Sequence, residues 1–110
     1  MQKKEDGYIV IACDFTGTEW DEQIPMIEGH RGAVICLDAL KLAIEQASEA
    51  EEPFTCTLCR REREAGKKMW RHPEPPDGAN PDAVVCWPCI NMADRAFGEE
   101  PDTDHTTQLR

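Results

Sequence analysis

Two cysteine pairs of identical spacing, Cys56-x-x-Cys59 and Cys86-x-x-Cys89, constrain this chain more than any other feature. Four thiolates arranged in two knuckles close a tetrahedral shell. Such a shell suits one structural zinc ion and leaves no open position for chemistry. A stretch of 26 residues separates the pairs, long enough for a strand to return and place the second pair beside the first.

Size makes the metal important. At 110 residues the chain is one domain or two very small ones. A unit of about 40–50 residues buries too little apolar surface to hold by packing alone, so metal or a second unit must support it. Six cysteines with no secretory segment at the start indicate an intracellular, reduced protein, for which we expect a cytoplasmic location. No run of apolar residues reaches membrane-spanning length, so no membrane role is expected.

A net charge of −10 argues against a general nucleic-acid binder, which needs positive surface to neutralise phosphates. Residues 1–52 carry −8, residues 53–97 carry +1 and residues 98–110 carry −3. The one basic cluster is Arg60, Arg61, Arg63, Lys67, Lys68 and Arg71. With Glu62 and Glu64 interleaved, it reads as a solvated loop; binding of nucleic acid there is the alternative.

Periodicity and breakers set the order of elements. A polar lead covers 1–7. Tyr8–Cys13 is β-rich and reads as a strand. Gly29 and Gly32 mark a hairpin turn before a short strand Ala33–Cys36, and residues 37–50 read as a helix with Leu37, Leu40, Ile44 and Ala47 on one face. An acidic linker at 51–53 follows. The order then repeats: a strand end and knuckle, a polar excursion rich in proline and glycine, the strand "AVVC", and a helix Trp87–Phe97 with Pro88 in its first turn. Residues 98–110 read as an acidic, disordered tail.

Aligning Cys13 with Cys56 and Cys36 with Cys86 sets "AVICLDALKLA" against "AVVCWPCINMA". Thr16 and Ala39 then stand where the second cysteine of each pair would be. We therefore expect an internal repeat: a unit at 8–50 that has lost its metal, and a zinc-binding unit at 54–97. Cys13 and Cys36 read as buried small hydrophobes lying close together, with a disulfide or a weak residual metal site as the alternatives. Each unit follows the logic of a treble clef, with a knuckle at a turn, a third ligand ending a strand and a fourth in the first helical turn. The fold class expected is small α+β zinc-binding, two treble-clef-like units packed as an intramolecular pseudo-dimer with one zinc per chain.

These motifs resemble the N-terminal four-cysteine zinc-binding domain of the ClpX protein unfoldase. "CDFTGTEWDEQIPMIEGHRGAVICLDALKLAIEQ" is similar to that pattern along its length, without ligands at Thr16 and Ala39. "CTLC…VVCWPC" keeps all four ligands around a longer middle. The family's module dimerises and binds adaptors or substrates. The resemblance therefore implies a protein–protein interaction module with a protein partner, acting as adaptor or regulator, and leaves homodimerisation open. No Gly-rich phosphate loop accompanies it.

One enzymatic alternative is a degenerate HNH-type nuclease, also built on a treble clef, with His72 as its histidine and Asn80 and Asn91 as mimics of other positions. Arg71 stands where an acid commonly precedes the histidine, so metal-assisted hydrolysis is poorly supplied and no catalytic residue is assigned. His30 and His105 read as turn and tail residues. Trp20, Trp70 and Trp87 read as completing thin cores.

Overall fold

The structure, a computed structural model, describes residues 1–100 and 105–109. The elements in order are β1 (Gln2–Glu5), β2 (Tyr8–Ile11), β3 (Met26–Glu28), β4 (Val34–Cys36), α1 (Leu37–Gln46), β5 (Ser48–Glu49), β6 (Phe54–Thr55), β7 (Glu62–Arg63), β8 (Lys68–Trp70), β9 (Val85–Cys86) and α2 (Trp87–Glu99). The result is a small α+β fold: two helices over small antiparallel sheets, ordered β1-β2, β3-β4, β5-β8-β9 and β6-β7.

Three expectations need correction. Residues 1–7 are not merely a polar lead. Asp6 and Gly7 both take positive φ (50° and 85°), the pair of values a two-residue hairpin turn demands, and β1 pairs with β2 from Gln2↔Ile11 to Glu5↔Tyr8. The first helix stops at Gln46 rather than 50, because Ala47 turns extended and Ser48–Glu49 joins the edge of β8, with Ser48 opposite Met69. Ala50, next to the expected linker, is buried and donates its N–H to Lys67 O at 2.9 Å.

The third correction concerns the tail. α2 runs on through Gly98 to Glu99, and residues 105–109 fold back onto it. Asp94 is fully buried on this helix, and a buried carboxylate must find donors. It accepts from His105 Nε2 at 2.7 Å, Gln108 N–H at 3.0 Å and Leu109 N–H at 2.7 Å. His105 is buried with it. The rest of the expected tail, residues 101–104 and 110, lies outside the described residues.

Two stretches of the chain carry the same set of bonds. Asp14 N–H donates to Val34 O at 3.0 Å, and Thr57 N–H to Val84 O at 2.7 Å. In return, Val34 N–H donates to Asp14 Oδ2 at 2.7 Å and Val84 N–H to Thr57 Oγ1 at 2.9 Å. Gly17 N–H reaches Cys13 O and Arg60 N–H reaches Cys56 O, each at 2.9 Å. The bridge Ala12↔Glu19 matches the pair Thr55↔Glu62, and Met26↔Cys36 matches Met69↔Cys86.

The two stretches also clasp each other reciprocally. His30 N–H donates to Leu58 O and Asn80 N–H donates to Asp14 O, both at 2.8 Å. Glycine is required at both crossings: a Cβ at Gly29 would lie 2.6 Å from Leu58 O, and one at Gly17 would lie 2.8 Å from the Gly78 carbonyl carbon. Gly17 also holds φ +76°, which most side chains resist.

The core runs continuously between them. Leu40 and Ala43 of α1, Ile90, Ala93 and Phe97 of α2, Ile35 and Cys36 of β4, and Val85 and Cys86 of β9 belong to one cluster. Trp70 is its largest member. Its ring centroid lies 5.5 Å from that of Phe15, and its Nε1–H donates to Gln46 Oε1 at 2.9 Å. This tryptophan completes the core as expected, whereas Trp20 remains 44% exposed and does not.

Candidate metal centre

Backbone hydrogen bonds place the four cysteines. Cys56 follows β6, and its N–H donates to Arg61 O while its carbonyl accepts from Arg60, which tightens the knuckle. Arg60 takes φ +62° there, the value that glycine supplies at Gly17. Cys86 ends β9 and is the N-cap residue of α2. That position leaves Cys89 in the first helical turn, where unpaired N–H groups and the helix dipole favour a thiolate. Cys86 N–H also donates to Cys56 Sγ at 3.4 Å.

The four sulfurs lie within 4.8 Å of one another. Cys56 Sγ is 3.8 Å from Cys89 Sγ, and Cys59 Sγ is 3.8 Å from Cys86 Sγ. A Zn–S bond of about 2.3 Å in a regular tetrahedron gives an edge of about 3.8 Å, so the donor set matches one tetrahedral ion. Three of the sulfurs belong to buried residues and Cys59 is half-buried. These four cysteines form a zinc-finger-like cluster suited to binding a metal ion. They are the sole group of three or more metal-ligating side chains among the described residues.

The thiols share protons unequally. Hydrogen bonding with Cys86 and then Cys89 holds Cys56 far below the usual thiol range. The same bonding to Cys56 pushes Cys86 and Cys89 up, and burial adds to it. Binding a cation must therefore expel the protons that Cys86 and Cys89 hold, so affinity falls as pH falls.

Arg63 is the member of the centre that sequence reading missed. On β7, four residues past Cys59, its Nη2 lies 3.9 Å from Cys59 Sγ. Its Nε is buried without a hydrogen-bond partner among the described residues. The half-buried guanidinium thus reaches onto the sulfur cluster, and it would offset part of the charge of four thiolates around a divalent ion. Partners of this kind typically contribute about 10–100-fold to metal affinity. We expect Arg63→Ala to weaken metal binding about tenfold in competition with a chromophoric chelator, and Arg63→Lys to recover part of the loss. Equal affinity in all three proteins would exclude the charge role.

The rest of the basic cluster is dispersed. Arg60, Arg61, Lys67 and Arg71 are exposed, and Lys68 Nζ sits 4.0 Å from the centroid of the Trp87 ring. Nor are the nuclease candidates drawn together as ligands. His72 Nδ1 accepts from Glu74 N–H, Asn80 Oδ1 from Asp82 N–H, and Asn91 Nδ2 donates to Trp87 O.

Cys13 and Cys36 occupy the positions of Cys56 and Cys86. Cys36 N–H donates to Cys13 Sγ at 3.3 Å. Both residues are buried and close together, as expected. Hydrogen bonding from the Cys36 thiol brings Cys13 down from 9.0 to about 6, and the same bond pushes Cys36 up. Thr16 Oγ1 approaches Cys36 Sγ at 3.5 Å and bonds Thr18 Oγ1 at 2.9 Å. Ala39 is wholly buried at the fourth position. Two sulfurs and one hydroxyl do not complete a zinc shell.

No helix among the described residues is long and apolar enough to cross a membrane. No family model, curated protein or solved structure matches this chain, and the chain is characterised by what it holds: a small α+β fold around a zinc-finger-like cluster of four cysteines within metal-binding distance.

Proposed function

We propose that this chain is a structural-zinc protein of two treble-clef-like units, packed as an intramolecular pseudo-dimer, that works as a protein–protein interaction module. One zinc ion, held by Cys56, Cys59, Cys86 and Cys89, stabilises the unit at 54–97. The unit at 8–50 binds no ion of its own and is held by packing against the other unit. The observation that carries the reading is the set of four sulfurs within 4.8 Å of one another: with every position of a tetrahedral shell filled by protein, the ion organises structure and offers no site to a substrate.

The matched bonds around Cys13/Cys36 and Cys56/Cys86 support a duplicated unit. The reciprocal clasp at Leu58 and Asp14 supports packing of the copies face to face. What supports an interaction role is the net charge of −10, a cysteine set that would leave no open position on an ion, and the resemblance read from the motifs. A nuclease centred on His72 has less support, because that ring accepts a bond from its own loop and packs at a tilt against Trp70.

Metal analysis of freshly purified protein should give about one zinc per chain. Photo-crosslinking from surface positions, in cells that express the chain, should give a discrete protein adduct that Cys89→Ser abolishes. Adduct formation unaffected by that change, or magnesium-dependent plasmid cleavage abolished by His72→Ala, would overturn the reading.

A further inference from the structure

β3 and β8 are equivalent strands, but their outer edges differ. At β8 the edge is covered: β5 lies along it, Ser48 opposite Met69, and Ala50 N–H donates to Lys67 O. At β3 it is open, since among the described residues β3 pairs with β4 alone. Leu37 N–H donates to Pro25 O and Gly29 N–H donates to Ala33 O. Antiparallel alternation therefore turns the main chain of Ile27 toward β4 and that of Met26 and Glu28 away from it. An unpaired strand edge of this kind is a template for another strand.

Two adjoining hollows flank the edge. One, of about 200 Å³, is lined by Ile11, Trp20, Met26, Glu28 and Val34. The other, of about 290 Å³, shares Trp20 and Met26 and extends along Glu22, Ile24 and Ile27 to α2. Trp20, which the core does not use, stands between them. Among the described residues, the charged side chains that line the hollows are glutamates, with neither lysine nor arginine.

We propose that the outer edge of β3 receives an extended segment of a partner protein, rich in lysine or arginine and alternating with bulky apolar residues, as an added strand in the manner of β5 on β8. Main-chain bonds to Met26 and Glu28 supply the pairing. Apolar side chains enter the hollows beside Trp20, and basic ones meet Glu22 and Glu28. The chain's own stretch 101–104, Pro-Asp-Thr-Asp, has the same charge sign as this groove, which favours an outside occupant. The proposal rests on the interaction-module reading and gives that reading a surface and a partner chemistry.

The test uses the full metal-loaded chain and a short synthetic peptide of alternating lysine and valine. Amide exchange at Met26 and Glu28 should slow and the Trp20 indole resonance should shift. A glutamate–valine peptide should do neither. The exposed double change Glu22→Lys/Glu28→Lys, its fold checked by amide dispersion, should exchange the two preferences. Protection elsewhere with the lysine peptide would overturn the edge assignment and leave interaction through another face. Absence of protection with either peptide would overturn the edge assignment too. The interaction reading itself fails on the separate ground that no crosslinked partner forms.

Discussion

Removing the metal from the four-cysteine set is expected to cost the chain its cooperative fold. Structural zinc contributes about 10–16 kcal/mol in finger peptides at neutral pH, against a net stability of about 5–15 kcal/mol for an ordinary domain. The loss cannot stay local here. Cys56, Cys86 and Cys89 share one core cluster with Leu40 of α1 and Phe15, so knuckle, strand and helix lose their register together. A strong chelator at neutral pH, or Cys89→Ser, should collapse amide dispersion across the chain, including residues 8–46, which contribute none of the four cysteines. Retention of a dispersed spectrum without metal would refute a structural role. Acid should act like the chelator. Because Cys86 and Cys89 hold their protons more tightly than ordinary thiols, protons compete well with the ion. Metal occupancy should therefore fall as pH is lowered, with protons released on binding, measurable by calorimetry in buffers of different ionisation enthalpy.

The second large effect is a gain. Thr16→Cys with Ala39→Cys should raise metal content from about one ion per chain to about two. The geometry supports this directly. Thr16 Oγ1 already lies 3.5 Å from Cys36 Sγ, Cys36 N–H already bonds Cys13 Sγ as Cys86 N–H bonds Cys56 Sγ, and position 39 stands three residues past Cys36, as 89 does past Cys86. The new site should also raise the thermal midpoint in the presence of zinc, since a ligand that binds only the folded chain stabilises it. Elemental analysis that still gives one ion would refute a vacated site at Cys13 and Cys36. Either single substitution, leaving three sulfurs, should gain far less.

The four-cysteine cluster was legible because the spacing of its pairs is a chemical requirement that needs no tertiary context. The helices were legible to within a few residues because apolar positions recur on one face, as at Leu37, Leu40 and Ile44. Arg63 was hidden among five other cations, since nothing in a sequence distinguishes a guanidinium turned onto sulfur from one in solvent. Asp94 and His105 were hidden for a related reason. Each is ordinary in its own segment, and only the fold-back of 105–109 brings them to 2.7 Å. β1 was obscured by its charges, although the Asp6-Gly7 turn that forms it was visible.

The reciprocal clasp has a consequence for the timing of folding. As the chain leaves the ribosome, Gly17 and Gly29 emerge with nothing against them; the backbones they are shaped to meet, at Gly78 and Leu58, are not yet made. Trp70, the wedge between Phe15 and α1, comes later than both of its neighbours, and Cys89 later still. The early residues must therefore wait, loosely held, until most of the sequence has been synthesised. Capture of an ion by the four sulfurs would then come last in maturation, and a cell short of that ion would accumulate the waiting form.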